Sequence, residues 1–144
     1  MKKLTTTILL ILTLILVGNI GLAEDHAEIS WSNPATTYAT LSLTEVSSSI
    51  SKSSSTSVRV SATTSANQTC SSIGGTLLVQ QWTGSTWSTV KTIDFYADNA
   101  SSHSVDRVVT VESNYSYRVK VSHHAITLET SKTATSTTSS VSVP

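Results

Sequence analysis

Three groups of residues in this 144-residue chain carry side chains able to do chemistry, and in each the spacing argues against it. His103 and Asp106 are a possible base and orienter for one of 28 serines. On a strand, however, a separation of three points them to opposite faces, and there is no Gly-x-Ser-x-Gly elbow to present a nucleophile. His123 and His124 are adjacent, so on a strand they also diverge, and no cysteine or spaced histidine joins them in a zinc set. They read as a solvated strand end. Asp94, Asp98 and Asn99 offer the oxygens a calcium ion takes, but their spacing matches no dedicated calcium loop and reads as ordinary loop polarity. No catalytic residue, metal ligand or cofactor site is assigned, and the chain reads as a protein that is not an enzyme.

What remains is a contact surface. Trp82 and Trp87 flank Gly84-Ser85, and a two- or four-residue loop there makes them direct cross-strand neighbours. The same register sets Val79 opposite Val90 and Leu77 opposite Thr92. If Leu77, Val79 and Val90 face the core, both indoles stand outside it, beside Gln80 and Thr89. Flat rings flanked by amide and hydroxyl groups suit the apolar faces of sugars, and equally a protein hot spot. The opposing reading is that the indoles shield the hairpin end, or that a bulge turns one inward, since tryptophan is mostly buried.

The elements that must position this pair are strands. Serine and threonine make up 52 of the 144 residues, yet there are only two prolines, and aliphatic residues alternate with the hydroxyl residues. Alternation marks strands with one wet face rather than a mucin-like stalk. Tyr38 to Thr44, Thr56 to Thr63, Thr76 to Trp82, Thr86 to Ile93, Ser104 to Val111 and Tyr115 to Ser122 read as strands, with a vaguer last strand between Thr130 and Val143. Asp94 to Tyr96 adds a short segment. Gly74-Gly75 and the polar Asp98 to Ser102 stretch read as breaks, and Ser47 to Ser57 and Thr133 to Ser140 as low complexity. About seven short strands without an amphipathic helix predict an all-β fold, a single antiparallel β-sandwich over residues 36–144.

Val111 to Val121 resembles the corner before the sixth strand of a fibronectin type III or immunoglobulin-like domain. There Tyr117 would turn its hydroxyl back onto the preceding residues, with Val119 and Val121 following it into the core. Here Glu112-Ser113-Asn114 must form the corner without proline or glycine.

Residues 1–23 read as a secretory signal peptide. Lys2 and Lys3 precede an apolar run from Ile8 to Val17, and Gly21 and Ala23 supply the small residues for cleavage before Glu24. The competing reading is an uncleaved membrane anchor, opposed by Thr5, Thr6, Thr7 and Thr13. Residues 24–35 form a leader segment. Of nine basic residues, Lys2 and Lys3 fall in the signal, leaving seven against nine acidic, which is no footprint for nucleic acid. Cys70 is the only cysteine, so no internal disulfide forms.

Ile73-Gly74, the hairpin Gln81 to Val90 and the Tyr115 to Val121 strand together resemble a family of small exported proteins of Gram-positive, Firmicute-type bacteria. The resemblance implies the fold and the exported setting and carries over no site residue. The sequence thus favours a non-catalytic binding module at the cell exterior, meeting polysaccharide or protein, with no nucleic acid and no membrane span after processing. A structural or protective envelope component is the alternative, and a small hydrolase or inhibitor the second.

Overall fold

The computed structural model describes residues 39–144. The signal peptide and leader therefore lie outside the described residues. The fold is all-β, one curled sheet in which every pairing is antiparallel. Its strands are β1 (Leu43–Ser54), β2 (Ser57–Trp82), β3 (Trp87–Thr110), β4 (Tyr115–Ile126), β5 (Ser131–Thr137) and β6 (Val141–Val143). The order is β1-β2-β4-β5, with β3 on β2 and β6 on β4.

Strand β2 is long enough to serve two neighbourhoods. Its first half pairs with β1 and with the end of β3, whereas its second half pairs with β4 and with the start of β3. The register breaks between Ser65 and Cys70, where residues 66–69 of β2 stand against Ser101 of β3, two residues from Asn99, whose φ is 52°. Extra residues in one strand of a ladder bend it, and here, with three more on β2 than on β3, the whole β2-β3 hairpin curls. β1 is thereby brought against β5, to which it makes no ladder, and Ser136 Oγ lies 2.8 Å from Ser48 Oγ across that closure.

Among the described residues six strands stand where about seven shorter ones are expected, and the differences have physical causes. Gly74-Gly75 does not break the chain, because a glycine at φ 149° continues an extended strand where other residues cannot. Asp98 to Ser102 is strand, not loop, with the distortion absorbed at Asn99. The serine-rich Ser47 to Ser54 is strand as well, as part of β1. At this edge Ser49 and Ser61 hydroxyls meet at 2.7 Å and Ile50 packs on the core, so the ladder and cross-strand hydroxyls replace side-chain bulk. The vague final strand is two, β5 and β6.

Alternation sends Val58, Val60, Leu77, Val79, Tyr117, Val119 and Val121 into the main core cluster. A second cluster gathers Leu41, Ala66, Cys70, Ile73 and Ala125 near the curl. Cys70 is free and buried, and burial pushes its thiol pKa up, away from thiolate reactivity. The Tyr117 hydroxyl donates to the Glu112 carbonyl at 2.8 Å, tying the start of β4 to the corner before it.

Val119 is 0% exposed and sits opposite Val79 at the centre of this packing. Val119→Ala is expected to cost about 1–3 kcal/mol in urea denaturation, the transfer and cavity penalty of a closed site. Lys120→Ala, on the exposed side of the same strand, should stay within about 0.5 kcal/mol. Equal effects at the two positions would contradict the register of β4.

Candidate functional site

The turn that presents the tryptophans is built by Thr83 and Gly84. Thr83 N donates to Thr86 O at 2.9 Å, and the Thr83 hydroxyl accepts from Thr86 N at 3.2 Å. Gly84 takes a φ of 99°, which a side chain would strain. Trp82 and Trp87 are direct cross-strand partners, with ring centroids 5.3 Å apart and planes tilted by 54°. Trp82 is 37% exposed and Trp87 is half-buried.

Three pairs from the turn the ladder slips. The register shifts between Val79 and Gln80, so Val79 faces Lys91 rather than Val90, and Leu77 faces Ile93 rather than Thr92. Val90 is left without a partner and is 45% exposed, so it is not a core residue. Leu77 and Val79 are buried, and the bulge leaves both indoles on the outer side with Gln80 and Thr89. A bulge adds local twist, which here tilts the indoles instead of turning one inward.

The third strand completes the platform. Gln80 lies opposite Thr89 on β3 and opposite Arg118 on β4. The Arg118 guanidinium carbon stands 4.4 Å from the centroid of the Trp87 ring, and its Nε donates to Gln80 Oε1 at 2.9 Å. Gln80 Nε2 in turn reaches Thr89 Oγ1 at 3.5 Å. Trp82, Trp87, Gln80, Thr89 and Arg118 thus form one outward patch in which the cation both stacks on an indole and fixes an amide. Sequence reasoning missed Arg118, because its partner is 38 residues away and only the β2-β4 pairing joins them.

Further along this face Tyr96 and His124 flank Gly74 from β3 and β4. Their rings stack over the glycine at 4.6 Å and 20°. Thr76 donates to Asp94 Oδ1 at 2.7 Å and lies 2.9 Å from the Tyr96 hydroxyl. Partial burial lowers the His124 pKa from its usual range.

The other chemistry-bearing residues are dispersed. His103 turns inward against Phe95, at 6.1 Å between centroids, whereas Asp106 turns outward to Arg59 at 2.9 Å. Asp94 is engaged with Thr76, and Asp98 and Asn99 are exposed at the curl. Among the described residues no group of three or more His, Cys, Asp or Glu is placed to hold a metal ion.

His123 is not at a solvated strand end. It is 1% exposed, and desolvation lowers its pKa. Its Nδ1 is 2.7 Å from Thr64 Oγ1 and its Nε2 2.8 Å from Ser136 Oγ. A hydroxyl beside an imidazole has the reach of a nucleophile and its base. Here both groups are buried, and the Thr64 proton is given to the Gly74 carbonyl at 2.9 Å, so the pair is structural.

Comparison of the chain with protein-family models, with curated proteins and with solved structures returns no match.

Proposed function

We infer that this protein is a non-catalytic recognition module of the cell exterior, and that its outer-face tryptophan patch grips the sugar rings of a polysaccharide. The observation that carries this reading is the pair of tilted indoles, one of them solvent-facing, held on a tight turn and braced by Arg118. An indole face stacks on the apolar face of a pyranose, while Gln80, Thr89 and Arg118 supply polar groups beside it at hydroxyl height. Because the patch sits on paired strands, little ordering entropy is lost on contact. The exported setting rests on the Lys2 to Ala23 pattern and on the resemblance to small exported proteins of Gram-positive bacteria. The two-layer, immunoglobulin-like form of the curled sheet rests on the Tyr117 corner and on the approach of β1 to β5.

Retention on insoluble wall and mucin polysaccharides tests this. The wild-type protein should be retained by at least one, and Trp82→Ala/Trp87→Ala should lose at least tenfold in affinity, the scale of one aromatic hot spot or more. Arg118→Ala should lose less. Iodide should quench the wild-type fluorescence through Trp82. Equal retention of wild type and double variant, or no retention on any polymer, would overturn the reading.

A further inference from the structure

Strand β3 sorts its charges by face. Directly opposed residues of an antiparallel pair share a face, and Asp94, Asp98 and Asp106 stand opposite Thr76, Ser72 and Ser61 on the outer one. Lys91 and Arg107 stand opposite Val79 and Val60, both core residues with no exposure. Both cations therefore leave β3 on the core side. The acids are turned away from them: Asp106 is held by Arg59, and Asp94 by Thr76.

The curl brings the two cations together. Phe95 stacks on His103 across the inside of the bend. Two residues further along each arm stand Ile93 and Val105, and two beyond those stand Lys91 and Arg107. Lys91, Ile93, Arg107, Val108, Val109 and Thr110 line one cleft of about 400 Å³. The outer edge of β3 pairs with no strand among the described residues, so the cleft opens along that edge. Among the described residues neither cation has an ion pair, and Arg107 donates only to the backbone carbonyl of Asp106 at 3.0 Å. Two like charges lining a cleft with an apolar wall repel each other, and an anion between them reverses the sign of the interaction.

The geometry points to an anion-binding cleft for a single-chain amphiphile, in which a carboxylate or phosphate head bridges Lys91 and Arg107 and the alkyl chain lies on Ile93 and Val109. A cleft of this volume is at the small end of ligand sites and suits one short chain. The site is separate from the tryptophan patch and does not depend on it.

Calorimetric titration with dodecanoate, dodecyl phosphate and neutral dodecyl maltoside, all below micelle formation, tests the assignment. Saturable 1:1 binding of at least one anion is expected, with the tighter of the two identifying the head group. Trp82→Ala/Trp87→Ala should bind as wild type does, which separates this site from the polysaccharide reading. Lys91→Met/Arg107→Met should bind at least tenfold more weakly. Lys91→Gln alone, at an exposed side chain, should lose about threefold and covers failure of the double variant to fold. Absence of saturable binding of both anions, binding of the maltoside as tight as that of the anions, or unchanged affinity in the variants would overturn it. Self-association of the double variant, with no anion bound by wild type, would show instead that the inward charges guard an open sheet edge.

Discussion

Gly74→Ala should be the most damaging single-methyl change in the protein, costing more than about 4 kcal/mol or abolishing soluble expression. Gly74 has a φ of 149°, and a Cβ there would sit 1.8 Å from the Phe95 carbonyl oxygen and 2.8 Å from the Tyr96 Cα. Those are backbone atoms of the partner strand, so relief requires the β2-β3 ladder to part. The same movement would pull Tyr96 off His124 and take from Thr64 the carbonyl that accepts its proton. Gly84→Ala provides the contrast. A Cβ there meets nothing within 4 Å, so only its φ of 99° opposes the change, at about 1–3 kcal/mol. Urea denaturation of the two variants checks the order. If they proved equally destabilised, the close approach of β3 at Gly74 would be wrong.

That glycine also shows where the sequence misleads. Gly74-Gly75 has the composition of a turn, yet its role is to let neighbouring backbones come close, which only the non-local pairing with β3 and β4 reveals. Alternation is different, because it is local. It places Leu77 and Val79 on the inner face, and along β4 Tyr117, Val119 and Val121 are all buried. Carried one step further, the same alternation reaches His123 and then Ala125, both buried, so the inward histidine was readable from parity alone. The adjacency of His123 and His124 reads instead as a solvated strand end. The serines of β1 were not readable, since their strand is held by a partner and not by side-chain propensity. Nor was the bulge at Val90, where one unpaired residue shifts the register beyond it while leaving the tryptophan pair intact. The patch was therefore legible in its aromatic half, fixed by a short turn, and illegible in Arg118, supplied by a strand distant in sequence.

His123 is expected to make the protein less stable as pH falls, and its loss to carry the second largest cost. The imidazole joins β2 through Thr64 to β5 through Ser136, and Ser136 continues to Ser48 of β1, where β1 and β5 meet without a ladder. Thr64 gives its proton to Gly74 O, so it accepts from Nδ1, whereas Ser136 turns its one proton to Ser48 Oγ, so neutral His123 takes it at Nε2 only when that hydroxyl rotates toward the ring. Among the described residues the groups against the ring are Thr64, Ser136 and the edge of Phe95 at 6.5 Å, with no carboxylate among them. Burial therefore sets the direction, and the folded-state pKa lies below the ordinary value of 6.5. Between those two values the unfolded chain binds more protons than the folded one, so stability falls as pH drops through about 6.5 and levels off below the folded pKa. His124, shifted the same way, adds to the slope. His123→Ala should cost about 3–5 kcal/mol at pH 7.5, by analogy with other large buried rings truncated to alanine. His123→Phe keeps the volume but not the hydrogen bonds, and should cost about 1–3 kcal/mol. Denaturation at pH 7.5 and pH 5 decides the matter. The wild type should lose more stability across this interval than His123→Phe, in which only His124 contributes the shift. A wild-type loss no greater than that of His123→Phe would mean that the ring is charged in the folded protein, held by Thr64 and Ser136 as a double donor.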